Sequence, residues 1–190
     1  TNNKLKKYRQ NILCFTYNMK YCDGAFTVIE SSILHHFKQF SFDLSNFQKW
    51  AIYSITQKRD TIVCAPTGSG KTLPAEFAIK YFTDLGKRVI YTSPIKALSN
   101  EKFYNFQKKF PNVTFGLLTG DNKFNPDAQV IIATTEILLN TLQKQKCIEN
   151  SVLEKDKLSL DFDMDVSKEV GIVVFDEIHY INDPDRGHVW

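Results

Sequence analysis

The chain has 190 residues, 43% hydrophobic and 13% aromatic, with only 8 Gly and 6 Pro; this supports one sizeable core and excludes collagen-like and wholly disordered chains. Net charge is +3, but residues 149–169 hold seven acids against three lysines, which leaves +7 on the remainder, basic enough to suit a phosphate backbone. No apolar run approaches the length of a membrane span or signal h-region, and Cys14, Cys22, Cys64 and Cys147 have neither C-x-x-C spacing nor a histidine cluster for zinc, which fits a reduced intracellular compartment.

Residues 1–38 open with Lys4, Lys6, Lys7 and Arg9 and have no acid before Asp23; no period is assignable, and they read as a lead-in segment. Behind Ser45, a plausible N-cap, Phe47, Trp50, Ala51, Ile52 and Ile55 predict an amphipathic helix within 44–59. A short apolar strand is predicted at Thr61–Ala65, then a Gly-rich turn, then a helix carrying Leu73, Phe77, Tyr81 and Phe82 that ends at Gly86. Strand Arg88–Ser93 and a helix over Ile95–Phe110 follow, then strands at Val113–Leu118 and Gln129–Thr134 and a helix that includes Ile137, Leu138 and Leu142. The alternation Leu158, Leu160, Phe162, Met164, Val166 against Ser159, Asp161, Asp163 and Asp165 predicts a half-buried strand with an acidic outer face. Its aspartates do not make a calcium loop, because Val166 stands where that loop needs Gly and Ile172 where it needs a bidentate Glu. Val170–Phe175 is a continuous β-branched run, the pattern of a strand covered on both faces. Strands alternating with helices imply a parallel α/β sheet.

Between the predicted strand at Ile62 and the helix at Leu73 lies A-P-T-G-S-G-K-T, residues 65–72, a relaxed P-loop with Ala65 at the first glycine position. Thr67, Gly68, Ser69 and Gly70 would fold backbone N–H groups around phosphate oxygens at a helix N-terminus. Lys71 would neutralise the β- and γ-phosphates of ATP, and the Thr72 hydroxyl would ligate Mg2+. In V-V-F-D-E-I-H-Y, residues 173–180, a strand delivers two carboxylates at its C-terminal end, the edge where open parallel sheets bind ligands. Asp176 would hold magnesium directly or through water, and Glu177 would take a proton from the attacking water. His179 is either a coupling residue between this site and a neighbouring surface or an ordinary polar residue at a strand exit.

The P-loop, the D-E-I-H box and the segments between them resemble the first RecA-like domain of superfamily-two DExH helicases, in the group of superkiller-type, exosome-assisting RNA helicases. The resemblance runs from about Phe40 to Trp190. It implies a P-loop NTPase whose RecA-like parallel sheet is flanked by helices and incomplete at the C-terminus: a partial domain over 39–190 with an insertion at 146–169. F-D-L-S-N-F-Q-K-W-A-I, residues 42–52, is similar to the family's adenine-recognition motif, with Gln48 reading the base and Phe42 stacking on it. Y-T-S-P-I-K-A-L-S-N-E-K-F, residues 91–103, looks like motif Ia, L-T-G-D, residues 118–121, like motif Ib, and A-T-T-E-I-L-L, residues 133–139, like the next motif.

These motifs imply single-stranded RNA held by its backbone at Ser93, Pro94, Lys96, Gly120, Asp121, Thr134 and Thr135, contacts that carry little sequence information. D-R-G-H-V-W, residues 185–190, is similar to the segment after the D-E-I-H box. The chain starts at Thr1 and stops within that segment, so a piece of a larger protein is expected, with the family's S-A-T strand, second RecA-like domain and arginine fingers elsewhere. The implied function is ATP-dependent RNA unwinding for exosome-type decay or processing, in nucleus or cytoplasm, with exosome-type protein partners contacted elsewhere in the parent. The alternatives are a DNA-translocating helicase of similar architecture and a nucleic-acid-binding module without hydrolysis.

Overall fold

A computed structural model describes residues 30–150 and 166–184, with Cys22, residues 24–28 and Met164; the side chains of 144–150 are not among those described. The chain forms two compact units, residues 1–71 and 72–190.

In the first unit, α1 (Ser31–Phe37) and α2 (Asn46–Thr56) gather around an aromatic cluster. Gln48, Ala51, Ile52 and Ile55 are buried along α2, the i, i+3, i+4, i+7 stripe of an amphipathic helix. On another side of α2, the Phe26 ring meets Phe37, Trp50 and Tyr53 edge-on at 5.3, 4.8 and 6.0 Å. Two hydrogen bonds fix the same chain segment: Trp50 Nε1–H donates to the Gly24 carbonyl and the Phe26 N–H to Asn46 Oδ1. The strand expected at Thr61–Ala65 is not formed. Residues 60–66 have no regular structure, and Ile62 is 71% exposed. An apolar extended segment becomes a strand only when a neighbour takes its N–H and C=O groups, and none of the sheet's ladders includes this one.

The second unit is the α/β layer. Its elements are α3 (Thr72–Asp84), β1 (Arg88–Ser93), α4 (Lys96–Lys109), β2 (Phe115–Thr119), β3 (Asn122–Phe124), β4 (Val130–Thr134), α5 (Thr135–Asn150), α6 (Val166–Glu169), β5 (Val170–Phe175) and a 3-10 turn over Ile178–Asn182. The sheet runs β3-β2-β4-β1-β5, parallel throughout except for the short hairpin strand β3. Central β1 and β4 are buried along nearly their whole length, so they read as unbroken apolar runs.

One side of the sheet packs Ile90, Leu118, Ile131 and Ala133 against Ile137 and Leu138 of α5 and against Met164. Elsewhere α4 contributes Phe106, whose ring meets Tyr91 and Phe115. Helix α3 packs on β1 and β5. Near the C-terminal end of α3, Phe82 lies against Gly171, close to the start of β5, so the helix runs back along the strand and its first residues point to the strand's C-terminal end.

Two expectations are corrected in this unit. β5 is half-buried rather than covered on both faces, and Phe175 is 45% exposed, because the strand has a ladder partner only on its β1 side. Val166 starts the short helix α6 rather than ending a strand; Met164 is buried as the alternation requires, and the rest of 158–165 lies outside the described residues. So do the D-R-G-H-V-W ending, the basic start and Cys14.

Candidate functional site

The phosphate-loop segment closes on itself within the first unit. Gly68 and Gly70 have φ of 77° and 84°, a region that side chains with a Cβ enter only at a cost. Between them the Ser69 N–H and hydroxyl both donate to the Pro66 carbonyl, at 3.3 and 2.6 Å. Lys71 Nζ donates to the Ala65 carbonyl at 2.8 Å, which folds the ammonium over its own loop, and Thr67 stands exposed at the tip.

Gln48 is drawn into the same assembly. Its Oε1 accepts from the Ser45 N–H at 2.9 Å, half of a capping box for α2. Its Nε2 donates to the Gly70 carbonyl at 3.2 Å. Phe42 is exposed and lies edge-on to Phe40, on the wall of a cleft of about 510 Å³ that also takes in Phe37, Leu44 and Lys49. Gln48 does not line that cleft, so the two residues expected to flank adenine are engaged in different local settings.

In the second unit, the carboxylate pair emerges at the C-terminal end of β5. The Asp176 N–H donates to the Thr92 carbonyl at 2.9 Å, which continues the β1–β5 ladder one residue further. The Tyr91 hydroxyl donates to Asp176 Oδ2 at 2.6 Å, Lys102 Nζ stands 3.4 Å from the same oxygen, and Oδ1 accepts from the Glu177 N–H at 3.0 Å. Burial pushes the Tyr91 phenol far above its ordinary value, and the nearby Asp176, Glu177 and Glu76 carboxylates push it further in the same direction; the phenol therefore stays a donor.

Glu177 sits at φ 54°, ψ 44°, a left-handed turn that redirects the chain out of the strand and is uncommon without glycine. Its Oε2 is 3.2 Å from His179 Nδ1, so the coupling candidate lies beside the general-base candidate. Thr72 is the first residue of α3, whose start is directed toward this end of β5. Thr72 and Asp176 offer hard oxygen donors, which fit a magnesium ion that keeps water and phosphate oxygens in its shell. Among the described residues no three His, Cys, Asp or Glu side chains cluster as a protein-only cage.

The residues expected to hold a nucleic-acid backbone meet at the C-terminal ends of β1, β2 and β4. Ser93 and Thr134 are register partners, Thr135 Oγ1 donates to the Ser93 carbonyl at 3.4 Å, and Ser93 Oγ pairs with Ser99 Oγ at 2.6 Å. Ser93, Thr134 and Thr135 are buried, backbone included, so they brace the turns from within, whereas Gly120 is exposed. Pro94 joins β1 to α4. Lys96 forms an ion pair with Asp121 and lies alongside Gly120, and both of these charged side chains are half or more exposed.

One family model accounts for this arrangement of motifs: the DEAD/DEAH box helicase model matches residues 45–190. The chain belongs to the DEAD/DEAH box helicase family. Its parallel sheet with flanking helices is the RecA-like α/β architecture the motifs implied. Among curated relatives, this DEAD/DEAH box chain is 42% identical over 153 residues to the antiviral helicase SKI2 of Saccharomyces cerevisiae. It is also 42% identical over 153 residues to mRNA transport homolog 4 of Caenorhabditis elegans, and over 152 residues to the human Superkiller complex protein 2. Each match takes in 80% of this chain but only 10%, 13% and 11% of those proteins. Tyr91 and Lys102 carry contacts that reading the sequence did not assign. Tyr91 looked like one more large residue in an apolar strand, and its partner lies 85 positions away.

Proposed function

We propose that this DEAD/DEAH box chain is the nucleotide-binding and RNA-backbone-binding half of an ATP-driven RNA helicase, acting inside the cell on RNA unwinding for decay or processing. The observation that carries the reading is the convergence, at the C-terminal edge of β2, β4, β1 and β5, of the backbone-binding turns with the Asp176–Glu177 pair. The relatives' names, an antiviral helicase, an mRNA-transport homolog and a superkiller complex protein, support RNA as the substrate; work beside an exosome-type partner is part of this proposal.

In this reading the glycine turn at 67–70 and Lys71 bind the ATP phosphates, and Gln48 and Phe42 address the base. Thr72 and Asp176 would hold magnesium, which when bound neutralises phosphate charge during phosphoryl transfer. Glu177 accepts the proton of the attacking water. His179, through its contact with the Glu177 carboxylate, orients that base and links it to the residues that follow. Lys96 and the exposed turn backbone at Gly120 grip phosphates without reading bases, and the buried Ser93, Thr134 and Thr135 brace the neighbouring turns.

The test is ATP hydrolysis by the full-length protein with single-stranded RNA or DNA. Lys71→Ala should lower turnover on the order of 10²–10³-fold, because a preorganised cation facing developing charge is lost. Glu177→Gln should keep ATP and magnesium bound while slowing the chemical step. Unchanged turnover in Lys71→Ala would remove the phosphate-loop assignment, and equal stimulation by DNA and RNA would favour a DNA-translocating motor instead.

A further inference from the structure

We propose that Tyr91 is a positioning residue for Asp176, and that Lys102 neutralises the same carboxylate oxygen and links it, along one face of α4, to the turn that would grip nucleic acid. The proposal rests on the nucleotide reading given above and extends it to how the carboxylate is readied.

Four contacts fix Asp176. Its N–H is tied to Thr92, its Oδ1 accepts from the next N–H, and Oδ2 receives both the Tyr91 hydroxyl and the Lys102 ammonium. Tyr91 is only 1% exposed, and its ring is set edge-on against Phe106 at 5.2 Å. A phenylalanine would fill that space equally well. A hydroxyl carried into the sheet interior is unfavourable unless it finds a partner, and here the partner is the carboxylate itself. Tyr91 therefore fixes the orientation of Asp176 in the way that an outer partner orients a metal-binding carboxylate.

Lys102 acts differently on the same oxygen. It is a cation on a flexible stem, so it competes with any other cation for Oδ2. Its place on α4 gives that competition a second end. Lys96, Ser99 and Lys102 follow one another at three-residue spacing, which puts them on one helix face. Lys96 pairs with Asp121 beyond β2, Ser99 pairs with Ser93 at the end of β1, and Lys102 pairs with Asp176 beyond β5. A phosphate that draws Lys96 away from Asp121 acts on the same rigid helix that presents Lys102 to the carboxylate.

The two residues should therefore give opposite signs in one measurement, the magnesium dependence of fluorescent ATP-analogue binding to the full-length protein, with and without single-stranded RNA. Tyr91→Phe keeps the ring, so thermal melting and nucleotide affinity in EDTA should match wild type. Its half-saturating magnesium concentration should rise about tenfold, the usual effect of removing an outer partner of a metal ligand. Lys102→Met should lower the half-saturating magnesium concentration in the absence of RNA and abolish any further change on adding RNA, while Lys102→Arg restores the wild-type pattern. A wild-type magnesium titration in Tyr91→Phe, or a shift of both variants in the same direction, would overturn the proposal. Lys71→Ala in the same assay separates the two levels. Wild-type nucleotide binding and turnover there would defeat the nucleotide reading and this inference with it, whereas a defective Lys71→Ala beside an unaltered Tyr91→Phe would defeat this inference alone.

Discussion

Gly68 and Gly70 have nearly the same backbone conformation but different surroundings, and the difference is testable. A Cβ at Gly68 would meet nothing within 4 Å, whereas one at Gly70 would lie 2.7 Å from the Gln48 amide nitrogen. Each alanine carries the left-handed cost of about 1–2 kcal/mol. Only Gly70→Ala also displaces Gln48, which holds both the start of α2 and the Gly70 carbonyl. Gly70→Ala should therefore weaken nucleotide binding clearly more than Gly68→Ala and also lower the melting temperature, read by fluorescent-nucleotide titration and calorimetry. Equal losses would show that the Gln48 contact contributes nothing. At this scale the sequence was informative where spacing is local: the glycines, Lys71 and the adjacent Asp176 and Glu177 could be picked out from strand, turn and helix context. The partners Tyr91 and Lys102 could not, because their contacts with Asp176 arise from β1–β5 pairing and from the placement of α4, across 85 and 74 positions.

At the level of elements, β5 depends on one residue having no side chain. The β1–β5 register slips between Arg88 and Val89, so that Arg88 faces Val170 and Val89 faces Ile172, with Gly171 unpaired between them. A Cβ on Gly171 would overlap the Phe82 ring and lie 2.9 Å from Lys87 Cβ. Gly171→Ala should destabilise the second unit by about 1–3 kcal/mol through overpacking, seen as a lower denaturation midpoint in urea. Pairing it with Phe82→Leu should recover part of that loss, and no recovery would place the cause elsewhere. The three long helices of this layer and its strands β1, β2, β4 and β5 could be placed from their apolar patterns. β3 could not, since three exposed residues carry no period. Nor does a β-branched run say how fully its faces are covered, which is why β5 reads as covered on both faces and is half-buried in the structure. Residues 61–65 are the converse, a strand-like composition without a ladder.

Across the molecule, charge separates from chemistry. The α/β plan was readable because alternating elements leave few ways to cover a parallel sheet, but the aromatic assembly of Phe26, Phe37, Trp50 and Tyr53 was not, since its rings come from a loop and two helices with no common period. The acidic stretch at 149–169 brings a basic chain close to neutral overall, so nucleic-acid affinity must come from local contacts such as Lys96 rather than from a strong global field. In the structure Lys96 is paired with Asp121, an exposed ion pair of small intrinsic worth that a phosphate can replace. Binding of single-stranded RNA to the full-length protein should fall linearly with log salt and tolerate changes of base sequence. Lys96→Ala should flatten the slope by about 0.7, the counterion share of one phosphate contact on a single strand. Asp121→Asn should tighten binding at low salt, because the phosphate then has no carboxylate to displace. An unchanged slope in Lys96→Ala, or weaker low-salt binding in Asp121→Asn, would mean that the backbone runs elsewhere on the sheet edge.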